Sequence, residues 1–434
     1  MPYTEIGEFS QLIDEIVYLA KLKKEHGSKS VDAYLAKVKK ALEDLEDEAT
    51  GLAIDEKQAR EEPNDLVEIK KLRPDGPRRL AFNWDDDLYR EKVEGAFLGR
   101  VSGCTLGTLV EGWTIQEMEG WAEEIRNPFP PTNYWTTARE PSRIRYMLNR
   151  CRQYTRDEMD GVPLDDDIIY TLLGVLTFEE CGINFSSEDI GKMWHKYLPW
   201  IFKDMEWPLN RYLSGVSVDK AANGSPYSHI ICASIRCDPY GYVTPGWPEM
   251  AAAFSYRDAY MSHRRNGIYG SMFFSAAIAA AFYVSHPVEA LEIGLTEIPK
   301  NCQFARDIRW ALEIGNNIKN YKEARAAVDA YYGDTALNSI HISLNACLTV
   351  FGLMIGGTDL TRVISETVAM GHDNDCTAAT AGSIVGAIVG KKGIPGHWYK
   401  NFNNKVHSYI RGYRYFSISN LVERYLRFAK VITN

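Results

Sequence analysis

Apolar residues recur at helical spacing along most of the chain, and few segments alternate as strands do. In residues 1–80 these positions lie among Lys, Glu and Asp, as in VDAYLAKVKKALEDLEDEA, which predicts a helical hairpin or arm. A connector with a Pro-Asp-Gly turn signal follows in EEPNDLVEIKKLRPDGPRRL. From Trp84 onward the chain is rich in Ala, Gly and aromatic residues. We therefore predict an all-α protein, with a charged helical extension and connector over 1–83 and one domain over 84–434.

Two segments of the predicted domain place a small residue at every fourth position. The first contains Gly95, Gly99, Gly103 and Gly107, and the second contains Ala378, Gly382, Gly386 and Gly390. Residues four apart share one face of a helix. Each Gly costs roughly 1 kcal/mol against Ala in a helix interior, so a compensating close approach of two helices is expected. Arg100 and Glu94 within the first stripe disfavour a membrane pair. The stripes predict two central, tightly packed helices.

Two further segments have the length and pattern of helices. FSSEDIGKMWHKYLPWIF carries a Ser-x-x-Asp start signal, and NSIHISLNACLTVFGLMIGG is apolar over most of its length. Together with the glycine stripes they predict a single all-α domain.

Composition excludes several classes of function. The 434 residues are 45% hydrophobic and 25% charged, with a formal charge of −9, so no general nucleic-acid binding is expected. No stretch of about 18 apolar residues and no signal-peptide pattern is present, which predicts a cytoplasmic protein without a membrane span. The eight cysteines are scattered, and reduced thiols are the expectation.

An aspartate triplet, Asp165-Asp166-Asp167, precedes a strongly helical run. Acidic residues are favoured at a helix start by the dipole and the free amide groups, so a cap on a solvated surface is one interpretation. Three adjacent carboxylates repel one another, however, and only one of them can cap the helix. Metal binding by the triplet is the favoured interpretation.

A second acidic pair, Asp373 and Asp375, precedes the second glycine-striped helix. Buried carboxylates require a cation or a proton, and magnesium prefers carboxylate oxygens. The two clusters predict a site for two Mg²⁺ ions about 3.5–4 Å apart, with Mn²⁺ as an alternative. Glu111 follows the first stripe and would reach the same end of the bundle if the stripes pack together. A carboxylate beside metal-bound water is a candidate general base, although an isolated Glu is more often plain surface.

Four segments occur in an order that resembles the ADP-ribosylglycohydrolase family, which includes the dinitrogenase-reductase-activating glycohydrolases. They are KVEGAFLGRVSGCTLGTLVEGW, DDDIIYTLLG, SHRRNGIYG and MGHDNDCTAATAGSIVGAIVGKKGIPGHW. The resemblance runs from about Lys92 to the carboxyl end. It implies an all-α fold that forms a compact orthogonal helical bundle, two magnesium ions, and release of ADP-ribose from an ADP-ribosylated protein or a small ribosyl conjugate.

The resemblance also assigns residues. Asp166 and Asp167 match two ligands of the family's Thr-Asp-Asp motif, and they are assigned to catalysis together with Glu111. The expected metal ligands are Asp165, Asp166, Asp167, Asp373 and Asp375. The candidates for substrate binding are His263, Gly267, Tyr269 and Gly371. For His263 and Tyr269 the alternative is a core position without a ligand. As a substrate-binding residue, Tyr269 could stack on adenine, and so could Tyr134 or Trp135.

Four positions depart from the family's pattern. Asp165 and Cys376 each stand where the family has a Thr ligand. Cys104 replaces a residue that is frequently Asp in the family, and His372 replaces one that is frequently Gly. A thiol is a poor magnesium ligand, so Cys376 is not expected to bind the ion as Thr would. Asp165 could restore a ligand and adds negative charge.

Other classes of protein fit the motifs less well. DNDCT matches the Asp-x-Asp-x-Thr signature of haloacid-dehalogenase-like phosphatases, but that motif follows a strand near the start of its domain. Isoprenoid synthases use aspartate-rich magnesium motifs, but the second cluster here has the wrong form. The strongest rival is a family member that binds ADP-ribose without catalysis or hydrolyses another ribosyl metabolite.

Overall fold

The structure, a computed structural model, describes residues 4–81, 84–137, 152–333 and 339–433, and is all-α in class. The helices are α1 Thr4–Glu25, α2 Val31–Thr50, α3 Glu56–Glu61, α4 Leu66–Leu72, α5 Asp86–Thr108, α6 Ile115–Glu124, α7 Asp166–Cys181, α8 Ser187–Tyr197, α9 Lys203–Leu213, α10 Val218–Ala221, α11 Cys232–Ile235, α12 Asp238–Tyr242, α13 Pro248–Ala259, α14 Asn266–Ala281, α15 Pro287–Leu295, α16 Gln303–Gly315, α17 Tyr321–Tyr332, α18 Ile342–Gly356, α19 Leu360–Ala369, α20 Asn374–Val389 and α21 Ile418–Thr433. Short 3₁₀ turns occupy Lys391–Gly393, Gly396–Trp398 and Lys400–Phe402. The predicted fold class is confirmed.

The chain forms two compact units. One comprises Met1–Arg60 with Asp329–Asn338, and the other comprises Glu61–Val328 with Ser339–Asn434. In the smaller unit α1 and α2 contact each other as a helical hairpin. The larger unit begins at Glu61, so it includes much of the segment that the sequence analysis assigned to the connector.

The two glycine stripes pack against each other at the centre of the larger unit. A Cβ atom added to Gly99 would overlap the backbone of Gly382, and one added to Gly103 would overlap Ala378. The helices run antiparallel, because Gly95 near the start of α5 meets Gly386 near the end of α20. Backbone contact at this distance accounts for the unfavourable glycines, and it places the end of α5 beside the start of α20.

Local signals set the helix ends. Ser186 and Asp189 form a capping box at the start of α8, as the Ser-x-x-Asp signal predicts. This helix ends at Tyr197, earlier than the apolar pattern suggests, because Pro199 follows and the residue before a proline is disfavoured in helical conformation. The predicted helix over NSIHISLNACLTVFGLMIGG is present as α18.

The β-sheet in the described part of the chain is a small two-stranded hairpin near the carboxyl end. Strands β1 Lys405–His407 and β2 Tyr415–Ser417 pair antiparallel. Val406 also forms a parallel bridge with Val162, just before the aspartate triplet. Among the described residues, none of the helices has the length and apolarity needed to cross a membrane.

Candidate metal centre

Helix ends bring the two aspartate clusters together. Asp165 is the N-cap of α7, where its Oδ1 accepts a hydrogen bond from the Asp167 amide at 3.0 Å. Asp373 is the N-cap of α20, and Asp375 lies in the first turn of that helix. The close packing of Gly107 on Asp375 fixes this end of the stripe. Asp165 is therefore a cap and a member of the acidic site at once.

Two sets of side chains place ligand atoms within 4.8 Å of one another. One set is Asp165, Asp167 and Asp375, and the other is Asp373, Asp375 and Cys376. Asp375 belongs to both, so two adjacent positions share one carboxylate. The Oδ1 atoms of Asp373 and Asp375 are buried without a hydrogen-bond partner. Hard divalent cations prefer such oxygens, and the residues present therefore fit a magnesium-type ion.

The site carries far more negative charge than its protein surroundings neutralise. Burial, with Asp165 and Asp373 adding repulsion, raises the pKa of Asp166 to about 8. Burial raises the pKa of Asp167 and Asp375 well above the ordinary range, and neighbouring carboxylates add to both shifts. Each carboxylate thus lies where its charged form is disfavoured, and a bound cation would reverse that preference.

Arg100 lies behind the acidic cluster, and the sequence analysis gave it no role in the site. Its guanidinium is fully buried and donates from Nη1 to Asp238 Oδ2 at 2.8 Å and from Nη2 to the Asp167 carbonyl at 2.9 Å. The Asp167 carboxylate is more distant, at 3.4 Å from Nη2. Arg100 therefore neutralises Asp238 first and holds Asp167 in place, which leaves the other carboxylates for a cation.

Asp165 and Cys376, which stand where the family resemblance predicts Thr, both lie at the site. The Cys376 thiol donates to Asp167 Oδ2 at 3.0 Å. Asp165 Oδ2 accepts from the Thr108 hydroxyl at 2.8 Å. The Cys376 sulfur therefore lies within one set of ligand atoms, and its thiol orients the Asp167 carboxylate.

Glu111 lies on the loop after α5, at the rim of the site. The Gly112 amide donates to the His372 carbonyl at 2.9 Å, which ties this loop to the turn before α20. The Glu111 residue is exposed to solvent at the rim of the site. Partial desolvation of its carboxyl, followed by the charges of Asp373 and Asp165, raises the pKa of Glu111 to about 7. Such a group can exchange a proton near neutral pH.

The four predicted substrate-binding residues have different surroundings. His263 is buried, with Nε2 at 3.0 Å from the Ile230 carbonyl and Nδ1 at 2.6 Å from Ser262 Oγ. The Tyr269 hydroxyl donates to the Pro63 carbonyl, so it faces away from the carboxylates. Gly267 packs on the Ser228 carbonyl, and Gly371, at φ +76°, packs on the carbonyl of Trp113. Of the four, Gly371 adjoins the acidic site directly, through the turn that holds Glu111.

The other aromatic candidates for adenine stacking are in the core. Tyr134 donates from its hydroxyl to the Trp398 carbonyl at 2.6 Å, and Trp135 donates from Nε1 to the Leu106 carbonyl at 3.0 Å. Both side chains are buried. These contacts account for their presence without a ligand.

Comparisons with known proteins agree with this architecture. The family model described as ADP-ribosylglycohydrolase matches residues 85–428. A solved structure titled "ADP-ribosylglycohydrolase-related protein complex" shares 17% identity at a TM-score of 0.52, covering 79% of this chain and 99% of that one, and so shows a similar fold. No curated protein matches the sequence. Because the family model spans most of the chain, including both aspartate clusters, the chain belongs to the ADP-ribosylglycohydrolase family.

Proposed function

We propose that the protein is a metal-dependent hydrolase that cleaves an N- or O-glycosidic bond between ADP-ribose, or a related ribosyl group, and an acceptor. Family membership supports a glycohydrolase-type activity. The observation that carries the metal dependence is the cluster of carboxylates at the starts of α7 and α20, in which Asp373 and Asp375 have buried oxygens without hydrogen-bond partners. We take Mg²⁺ as the cofactor, in two sites, with Mn²⁺ as the alternative.

The ligand sets assign residues to the ions. Asp165, Asp167 and Asp375 would hold one ion, and Asp373 and Asp375 would hold the second with Cys376 beside it. Asp166, whose charge interacts with Asp165, Asp373 and Glu111, belongs to neither set of ligand atoms. When bound, the ions supply positive charge that orients ribose hydroxyls and activates water.

The protein's own carboxylates supply the rest of the chemistry. Cleavage of a ribosyl bond develops positive charge at the anomeric carbon, which the Asp166 carboxylate can stabilise. Glu111, with a pKa of about 7, accepts a proton from the attacking water as that water bonds to the anomeric carbon. The leaving group departs with the bonding electron pair and takes up a proton. We place the reaction in the cytoplasm, on an ADP-ribosylated protein or a small ribosyl conjugate.

The test combines metal binding with turnover. Purified full-length protein is assayed with Mg²⁺ against ADP-ribosylated arginine, serine and DNA conjugates and against simple ribosides. Asp375→Asn, which removes the carboxylate shared by both ligand sets, should abolish the rise in melting temperature that Mg²⁺ gives the wild type. Glu111→Gln should lower turnover by roughly 10²–10⁴-fold with little change in binding. Glu123→Gln, at an exposed position on α6, is the matched control and should behave as wild type.

The outcomes separate the proposal from its strongest rival. A wild type that binds ADP-ribose in a metal-dependent manner but hydrolyses none of the conjugates is a binding protein of this family. A wild type whose melting temperature ignores Mg²⁺ and Mn²⁺ contradicts the metal centre itself. If Glu111→Gln changes both affinity and turnover, Glu111 acts as a gate over the site.

A further inference from the structure

We propose that Trp200 and Tyr409 form a stacking subsite at the edge of the carboxylate cluster, and that it takes a planar group of the substrate. The inference rests on the proposed function and names a part of the molecule that neither cluster explains. Trp200 lies in the loop between α8 and α9 and is 55% exposed. Tyr409 lies in the loop of the β1–β2 hairpin, and the two rings contact edge to face with centroids 6.5 Å apart.

Backbone pairing places Tyr409 beside the aspartate triplet. Val162 and Val406 form a parallel bridge, with the Val162 amide 2.8 Å from the Lys405 carbonyl and the His407 amide 3.0 Å from the Val162 carbonyl. The bridge is a single pairing, because α7 begins at Asp166. Asp165 and Tyr409 each stand three residues beyond it, and the charges of Asp166 and Asp165 act on the Tyr409 hydroxyl. The hairpin thus delivers an aromatic ring to the edge of the metal centre.

A second tyrosine completes the wall of this subsite. Tyr170 follows Asp166 by four residues on α7, so the two side chains share one face of that helix. Tyr170 is 2% exposed, and its hydroxyl is close enough to that of Tyr409 for the two groups to interact. Both hydroxyls are buried, and neither makes a well-aligned hydrogen bond to another described residue. A ligand beside the two rings can therefore bond to either hydroxyl.

The loop that carries Trp200 is held in place from the hairpin side. The Arg411 amide donates to the Tyr197 carbonyl at 2.9 Å, and its guanidinium Nη1 donates to the His195 carbonyl at 2.8 Å. Phe202 adds a ring contact with Trp200 at 6.5 Å. An exposed tryptophan held by these contacts is a preorganised surface rather than a mobile side chain.

The occupant is defined by shape and by the neighbouring charge. An indole face stacks on flat π systems, and it also attracts planar cations. Two parts of an ADP-ribosyl conjugate are planar in this sense: the adenine ring, and the guanidinium of an arginine acceptor. The subsite therefore selects for a planar group within reach of Asp165 and Asp166, and the experiment decides which end of the substrate supplies it.

The experiment measures dissociation constants by calorimetry with full-length protein and Mg²⁺. The probes are ADP-ribose, ribose 5-phosphate, which lacks adenine, and L-arginine. Trp200→Ala should weaken one planar probe by about tenfold or more, and Trp200→Phe should restore much of that loss. Tyr409→Phe removes one hydroxyl and should weaken the same probe to a smaller extent. Tyr283→Ala, at a position that is 52% exposed after α14, is the control and should match the wild type.

Each result has one meaning. Weaker binding of ADP-ribose with unchanged ribose 5-phosphate supports the subsite and assigns adenine to it. Weaker binding of L-arginine alone supports the subsite and assigns the acceptor to it. Unchanged affinities in Trp200→Ala, when the wild type binds ADP-ribose, overturn the subsite and leave the proposed function standing. A wild type that binds no probe overturns both.

Discussion

Two clusters of buried charge lie in the larger unit, and they differ in how that charge is balanced. In the first, Arg236 donates from Nε to Asp258 Oδ1 at 2.5 Å and has Asp204 within 3.7 Å. One guanidinium thus serves two carboxylates. In the second, the candidate metal centre, Glu111 and five aspartates lie near one another, and Arg100 forms an ion pair with one of them, Asp167, at 3.4 Å. That arginine makes its shortest ion pair with Asp238.

The difference separates a structural cluster from a functional one. Arg236 uses its other nitrogens on the Cys232 carbonyl and the Ser262 hydroxyl, and Tyr240 donates to the second oxygen of Asp258 at 2.8 Å. Asp258 is thus partnered at both oxygens, whereas Asp204 has the Arg236 charge beside it but no hydrogen bond to either oxygen. The candidate metal centre also has unpartnered oxygens, on Asp373 and Asp375, but there the neighbouring charges are other carboxylates. A buried carboxylate surrounded by carboxylates favours a cation more strongly than one beside an arginine.

The largest expected effect comes from breaking the balanced cluster. Arg236→Met keeps much of the volume but leaves Asp204 and Asp258 buried without their cation. Loss of one partner from a buried ion pair costs about 3–5 kcal/mol, so the free energy of unfolding should fall by that amount in urea titrations. Addition of Mg²⁺ should not restore it, because among the described residues Asp204 and Asp258 belong to no group of side chains close enough together to hold an ion.

Arg90→Met is the matched control for this substitution. Arg90 pairs with Glu423 at 2.7 Å on the surface, where an ion pair contributes about 0–1 kcal/mol. If Arg236→Met proved no more destabilising than Arg90→Met, the charge balance that distinguishes the two clusters would be wrong.

The sequence predicted the parts of the site that depend on helix periodicity. The four-residue spacing of each glycine stripe specifies one face of its helix. Because the two faces pack together, the helix ends that meet could be predicted, and with them the proximity of Asp375 and Gly107. Arg100 was missed because its partners, Asp238 and Asp167, belong to other helices, and the sequence around Arg100 does not indicate which residues it contacts. Tyr409 was missed for a similar reason, since its place beside Asp165 depends on a three-residue strand and a single bridge to Val162.

The fold was predictable in class but not in its boundaries. The segment from Glu61 to Leu80 has the prolines of a connector, yet Glu62 accepts from Asn266 Nδ2 at 3.0 Å and from the Gln303 amide at 2.7 Å. Glu62 is only 2% exposed. A buried glutamate in a proline-containing stretch depends on partners about 200 residues away, and local composition does not reveal them.

An intermediate effect is expected when one aspartate in each cluster is replaced by asparagine, and the free energy of unfolding should change in opposite directions in the two clusters. Asp375→Asn removes one of several repelling carboxylates, so the metal-free protein at pH 8 should gain about 1 kcal/mol in unfolding free energy. Asp258→Asn should lose stability, because it withdraws charge from Arg236. Thermal melts in chelator check both, and the rise in melting temperature with Mg²⁺ should disappear only in Asp375→Asn. Destabilisation by both substitutions would mean that the metal centre is balanced without a cation.

The smallest effect is expected at the thiol, where the metal centre differs most from its family's pattern. Cys376 donates to Asp167 Oδ2, so a hydroxyl at this position can keep that hydrogen bond. A hydroxyl oxygen is also a better ligand for a hard cation than sulfur. Cys376→Ser should therefore keep or improve Mg²⁺ affinity, measured by calorimetry, with Cys181→Ser, on the last turn of α7, as the control. A loss of more than about tenfold, roughly 1.4 kcal/mol, would show that the sulfur stabilises the ion directly, and the site would then favour a softer metal than magnesium.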